Sequence, residues 1–291
     1  VSDLNIRATS TILGVIGDPI AHSFSPDMHN AAIGALKADY AYVAFCVDSG
    51  EVGRALNGMK AFGIRGLNVT IPHKRAVMEH IDRISEEALA VGAVNTISLE
   101  DGDLVGYNTD VFGLSTALER VAGLQEFPKC CVVLGAGGAA RAAVYALGMR
   151  KEVETVAILN RTAERAESLA VDMEKITGTR MLPDALNVGA LSATFPDAGL
   201  VINTTSLGMH PHTDDTPLQD TQSVHPNLVL YDTVFNPLRT RLMSQFKEAG
   251  AEAYGGLDML IHQGARSFQI WTGLSPSYEI MKQSVIQRFQ S

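Results

Sequence analysis

Residues 132–140 read Val132-Val133-Leu134-Gly135-Ala136-Gly137-Gly138-Ala139-Ala140, an apolar strand that enters a GxGxxA turn and opens a helix. In a parallel α/β sheet such a turn is built for a dinucleotide. Gly135 permits the tight bend, Gly137 lets the backbone approach a pyrophosphate, and Ala140 allows the helix to pack closely while its N-terminus faces the negative charge. Gly135, Ala136, Gly137, Gly138 and Ala139 are therefore the expected cofactor-binding turn. A glycine-rich turn without a ligand would have the same spelling, and the strand and helix on either side are what favour the nucleotide.

About 20 residues further on, an NAD site ordinarily ends its second strand with Asp or Glu on the ribose hydroxyls. This chain has Asn160-Arg161-Thr162 there, followed by Arg165. A carboxylate would repel a 2′-phosphate, whereas Arg161 and Arg165 can form charge-assisted bonds to it and Thr162 can add a hydroxyl. NADP is the expected cofactor. Two solvated arginines at a helix start are the plainer alternative, although cations there oppose the helix dipole.

Further strands are expected near 156–159, 200–203 and 228–232, which continues a βαβ rhythm around the quoted turn. Upstream, short apolar runs at 12–17, 41–47 and 66–71 alternate with helical stretches at 26–37 and 52–62, again the rhythm of a mostly parallel sheet. Ser25 is placed to cap the first helix, with Pro26 in its first turn. From Ala93 to Tyr107 two short strands flank Glu100-Asp101-Gly102-Asp103, a hairpin signature. The expected architecture is two-lobed α/β. It has a substrate-binding and catalytic domain at 1–112, a Rossmann-type nucleotide domain at 113–250, and C-terminal helices at 251–291 that return to the first domain.

With 291 residues, 46% hydrophobic and 19% charged, the chain can bury two cores. A net charge of −9 argues against nucleic acid or an anionic membrane as partner, since either would want a basic face. Cys46, Cys130 and Cys131 are odd in number, which fits a reducing, cytoplasmic setting. Cys130 and Cys131 point to opposite faces of one strand and so read as core rather than as a redox pair. Residues 1–11 show no secretion signal, and the long weakly charged stretch 130–149 is broken by four glycines and Arg141, so no membrane span is expected. His210 and His212 lack a third ligand at zinc-like spacing, and no metal is expected.

Three polar clusters fall where first-lobe strands end: His22-Ser23-Phe24-Ser25-Pro26, Asn68-Val69-Thr70-Ile71-Pro72-His73-Lys74 and Tyr107-Asn108-Thr109-Asp110, with Asn95-Thr96 between the last two. Strand ends facing a cleft are where open α/β sheets bind ligands. Hydroxyls and amides with one Lys and one Asp suit a polyol better than a phosphate.

Taken together, HSFSP, NVTIPHK, GAVNT, YNTD, GAGGAAR, NRT, NTTSLGM and the segment 256–263 resemble the shikimate dehydrogenase family, in order over nearly the whole chain. The resemblance implies NADP-dependent hydride transfer between shikimate and 3-dehydroshikimate. It implies Lys74 and Asp110 as the catalytic pair, and Ser23, Ser25, Asn68, Thr70, Asn95, Asp110 and Gln263 as substrate contacts. On the cofactor side it adds Glu86, Thr233 and Gly256. One departure stands out: Phe235 occupies the place where members often carry a substrate-contacting Tyr. Quinate as the ring acid, or an NADP-sensing protein without turnover, are the competing expectations.

Overall fold

The computed structural model describes residues 6–290, so the first five residues of the N-terminal stretch read above lie outside it. The chain divides into two compact units, Val1–Gly113 with Ile261–Ser291, and Leu114–Leu260.

The first unit begins β1 (Thr11–Gly17), α1 (Ser25–Leu36), β2 (Tyr40–Cys46), α2 (Val52–Phe62) and β3 (Gly66–Val69). It continues β4 (Arg83–Ile84), α3 (Glu86–Val91), β5 (Thr96–Glu100), β6 (Asp103–Tyr107) and the start of α4 (Asp110–Arg120). The strand order is β2-β1-β3-β5-β6-β4. β1 runs parallel to both β2 and β3, and β4 is parallel to β6, but β5 is antiparallel to β3 and β6. The sheet is thus mixed, more so than the βαβ rhythm predicts. The hairpin is the cause: Asp101 and Gly102 both take positive φ (52° and 91°), a two-residue turn that sends the chain straight back.

Ser25 does not cap α1. Phe24 holds the cap position without a side-chain bond, and Ser25 is the first helical residue. Its backbone N–H donates to Ser23 Oγ at 3.2 Å, so the hydroxyl two residues upstream meets the free donor. Pro26 sits in the first turn as expected.

The second unit contains β7 (Cys130–Leu134), α5 (Gly138–Gly148), β8 (Thr155–Asn160), α6 (Ala163–Thr177) and β9 (Arg180–Ala185). After these come α7 (Val188–Thr194), β10 (Leu200–Asn203), β11 (Val229–Asp232), α8 (Arg241–Glu248) and β12 (Glu252–Gly255). The order β12-β11-β10-β7-β8-β9 is parallel at every pairing. Successive residues of β7 enter opposite cores, Cys131 and Val133 on one face and Val132 and Leu134 on the other, because side chains alternate along a strand. Strand order reverses between β7 and β10, and the carboxyl ends at that reversal are the place where a doubly wound sheet takes a ligand. Burial pushes the Cys131 thiol up to about 12, which makes it inert core.

Since β12 is the edge strand of this sheet, the C-terminal segment of the first unit starts at Ile261 rather than at 251. It comprises most of α9 (Leu257–Thr272) and all of α10 (Tyr278–Gln290). Trp271 on α9 lies against Gly66, where a Cβ would come within 2.3 Å of the indole, and its Nε1 donates to Ile97 O at 2.9 Å. On α10, Phe289 stacks on Phe24 at 4.7 Å between centroids.

Candidate active site

In the first unit, Lys74 follows β3 and Asp110 opens α4; Lys74 Nζ donates to Asp110 Oδ2 at 2.5 Å, with the two side chains 17% and 7% exposed. The local chain fixes both ends of this pair. Asn108 Oδ1 accepts from the backbone N–H of Asp110 (3.0 Å) and Val111 (3.3 Å), and its Nδ2 donates to Ala93 O, so an Asn cap holds the start of α4. Asp110 then stands in the first turn of α4. On the other side His73, 1% exposed, bonds Val47 O through Nε2 at 2.6 Å, and Lys74 O accepts from Val94 N.

Asn95 Nδ2 donates to Asp110 Oδ1 (2.8 Å) and Thr109 Oγ1 (2.9 Å) and lies 3.4 Å from Gln263 Oε1. Asn95 Oδ1 accepts from Thr109 N at 2.7 Å. Four of the expected residues, Lys74, Asp110, Asn95 and Gln263, are therefore in one hydrogen-bonded group. Asn68 lies one layer deeper, 6% exposed, with Tyr42 Oη donating to its Oδ1 at 2.7 Å and its Nδ2 facing Thr96, Ser267 and Asn95 O. Ser23 lies on the loop before α1, Ser25 on α1 in side-chain contact with Tyr42, and Thr70 just beyond β3. Thr70 N donates to Ile16 O, and Thr70 Cγ2 lies where a Cβ on Gly17 would reach to 2.5 Å. Glu86 is exposed in the first turn of α3.

In the second unit, β7 leads into α5 through a glycine-rich turn. Gly135 has φ +112°, and a Cβ there would come within 2.6 Å of Thr204 Oγ1. At Gly137 a Cβ would meet nothing within 4 Å, so the turn is open on that side. Ala136, Gly138 and Ala139 are partly exposed around it, while Ala140 is fully buried under α5. At the end of β8, Asn160 Nδ2 donates to Thr162 O, and Arg161, Thr162 and Arg165 are all exposed. Thr233 and Gly256 meet in the backbone: Gly256 N donates to Val234 O, and a Cβ on Gly256 would lie 2.1 Å from Thr233 O. Phe235 is half-buried just after them. The residues present fit an NADP molecule.

Residues 15–97 match the family model for the shikimate dehydrogenase substrate binding domain. Residues 119–206 match shikimate / quinate 5-dehydrogenase, and 256–286 match the shikimate 5′-dehydrogenase C-terminal domain. The chain is 41% identical over 280 residues to the shikimate dehydrogenase (NADP(+)) of Methanothermobacter thermautotrophicus, covering 96% of this chain and 97% of that one. The chain belongs to the shikimate dehydrogenase family. Among solved members, the Thermus thermophilus shikimate 5-dehydrogenase in complex with NADP(H) and shikimate superposes with a TM-score of 0.84 at 35% identity, over 95% of this chain and 99% of that one. The Corynebacterium glutamicum quinate dehydrogenase in complex with NAD gives 0.86 at 29% identity, over 96% and 99%.

In this shikimate dehydrogenase family member, Tyr42 and Ser267 of the inner polar group carry no motif signal, whereas Thr109 belongs to the Tyr107–Asp110 cluster. Tyr42 lies in an apolar strand and reads as core, and Ser267 stands four residues beyond Gln263, on the same helix face. Among the described residues, no group of three or more His, Cys, Asp or Glu is gathered as a metal would require, and no helix is long and apolar enough to cross a membrane.

Proposed function

We propose that this chain is an NADP-dependent shikimate dehydrogenase, interconverting shikimate and 3-dehydroshikimate. The observation that carries the proposal is the Lys74–Asp110 pair held by Asn95 beside Gln263. Oxidising a secondary alcohol requires taking its hydroxyl proton, and reducing the ketone requires returning it. Lys74 as the free amine accepts that proton, and as the ammonium gives it back. Asp110 orients the Lys74 amine through Oδ2 and, with Asn95, leaves polar atoms for the same substrate hydroxyl. NADP, when bound, supplies or accepts the hydride. Gly135, Ala136, Gly137, Gly138 and Ala139 hold its pyrophosphate. Arg161, Thr162 and Arg165, with Asn160 closing the strand end, hold its 2′-phosphate. Glu86, Thr233 and Gly256 are assigned to the cofactor, and Ser23, Ser25, Asn68, Thr70, Asn95 and Gln263 to the substrate, on the family pattern.

The small ring carboxylate is the only partner assigned; nucleic acid and membrane are set aside on the net charge of −9. The free cysteines support a cytoplasmic setting. Phe235 keeps quinate as the second reading, because it removes a hydroxyl from a position that members often use on shikimate. Steady-state kinetics with shikimate and quinate, each with NADP and NAD, test the proposal. The highest kcat/KM should fall on shikimate with NADP, and a clear preference for quinate or for NAD would overturn it.

A further inference from the structure

Ser267 is fully buried on α9, and its hydroxyl meets four groups: Gln263 O at 3.0 Å, Asn68 Nδ2 at 3.0 Å, Thr96 Oγ1 at 2.8 Å and Thr109 Oγ1 at 3.1 Å. A hydroxyl has one proton and two lone pairs. The proton of Ser267 goes back to Gln263 O, one helical turn earlier. Its lone pairs then face Asn68 Nδ2, which can only donate, and one of the two threonine hydroxyls. Those same hydroxyls lie at 3.1 Å (Thr96) and 3.2 Å (Thr109) from Asn95 Oδ1, which also accepts from Thr109 N. The backbone N–H of Thr109, which can only donate, fixes Oδ1 as the Asn95 atom on that side, so Nδ2 faces Asp110 Oδ1 and Thr109 Oγ1. The two threonine hydroxyls, 3.2 Å apart, fill the space between Ser267 and that amide.

We propose that Ser267 is a positioning residue for the reaction: its hydroxyl anchors the Thr96 and Thr109 hydroxyls that pack around the Asn95 amide, and so holds that amide against Asp110. The same hydroxyl ties this hydrogen-bond circuit to the helix that presents Gln263. The inference rests on the assignment of Lys74 and Asp110 as the proton-transferring pair. Without the Ser267 oxygen, Asn68 Nδ2 loses one of its acceptors and the threonine hydroxyls lose their anchor, so Thr109 Oγ1 no longer restrains Asn95 Nδ2 and the contact of that amide with Asp110 loosens. Substrate binding through residues outside the circuit, and the nucleotide turn in the other unit, should be untouched.

The test is a double-mutant cycle on the full chain, with Ser267→Ala, Asn95→Ala and both together, assayed with shikimate and NADP. Ser267→Ala should lower kcat about tenfold in the parent protein but less than about twofold in the Asn95→Ala background, because its effect runs through Asn95. A fluorescence titration with NADP, expected to be parent-like in all three, shows that the variants are folded. An equal factor in both backgrounds, or a parent-like kcat in Ser267→Ala, overturns the proposal. Failure of the functional assignment is distinct from either result, since the parent protein itself would then not turn over shikimate with NADP.

Discussion

Lys74 is held at 2.5 Å from a carboxylate that is itself fixed by a helix cap and by Asn95, so removing it deletes the proton carrier while the cap stays in place. Lys74→Ala should lower turnover by about 10² to 10⁴-fold and leave the NADP dissociation constant within error of the parent, measured by fluorescence titration. A matching loss of NADP affinity would sink the assignment. Arg161 is exposed at the end of β8, just before α6, where the proposed function assigns it to the 2′-phosphate. Arg161→Ala should therefore raise KM for NADP far more than for NAD; equal losses would make it structural. At Phe235 the direction is a gain. Phe235→Tyr should strengthen shikimate binding by about 0.5 to 1.5 kcal/mol, read as a lower KM, provided the ring faces the substrate. No gain on shikimate together with high activity on another ring acid would assign the pocket to that compound.

Most elements were legible because their signals are local. The strand 200–203 and the helix 52–62 match the periodicity to the residue, and the hairpin follows from Asp101-Gly102. β9 was not legible: Pro183 and an exposed alternation mask an edge strand whose only partner is β8. β4 is two residues long and depends wholly on β6. The antiparallel pairing of β3 with β5 is a long-range fact that no window of sequence contains. In the site, the motifs named the residues that end on strands and loops, Thr109 among them, while Tyr42 and Ser267 join the inner circuit from distant segments and needed coordinates. The contact of α9 with β3 gives a test at this scale. Gly66→Ala would drive a methyl into the Trp271 indole, and overpacking of this kind costs about 1 to 3 kcal/mol. Because Trp271 is the only tryptophan, a shift in its emission with a lowered Tm should accompany the change, and a parent-like spectrum and Tm would show that the helix gives way freely.

Across the whole molecule, two buried ionisable groups respond to acid in opposite senses, one in each unit. His29, packed on Tyr42 at 4.2 Å and near Phe268 and Trp271, is pushed down from 6.5 to about 3 by burial, with the Asn68 side chain pulling weakly the other way. Between these values the unfolded chain binds a proton that the folded one refuses, so the stability it contributes is full above pH 6.5 and falls as pH drops, by up to about 1.4 kcal/mol per pH unit. Asp232, which accepts from Asn203, Val234 and Thr240, is pushed up from 3.8 to about 6 by burial despite those bonds. There the folded state binds the extra proton, and stability rises as pH falls from 6 toward 3.8. The first unit should therefore loosen before the second near pH 4 to 5. Trp271 emission would report an acid transition that precedes the loss of far-UV circular dichroism, and His29→Gln should bring the two together. Coincident transitions in the parent would count against this account. The first unit is also discontinuous, closed by residues 261–291, whereas the second is one uninterrupted stretch. On the ribosome, the nucleotide-binding unit has its whole sequence before residues 261–291 are made, and the substrate side waits for Gln263, Ser267 and Trp271 to emerge. A chain interrupted before those residues could still take up nucleotide but would lack the helix that completes the polar group around Asn95, so the substrate site cannot be finished until the whole second unit has been made.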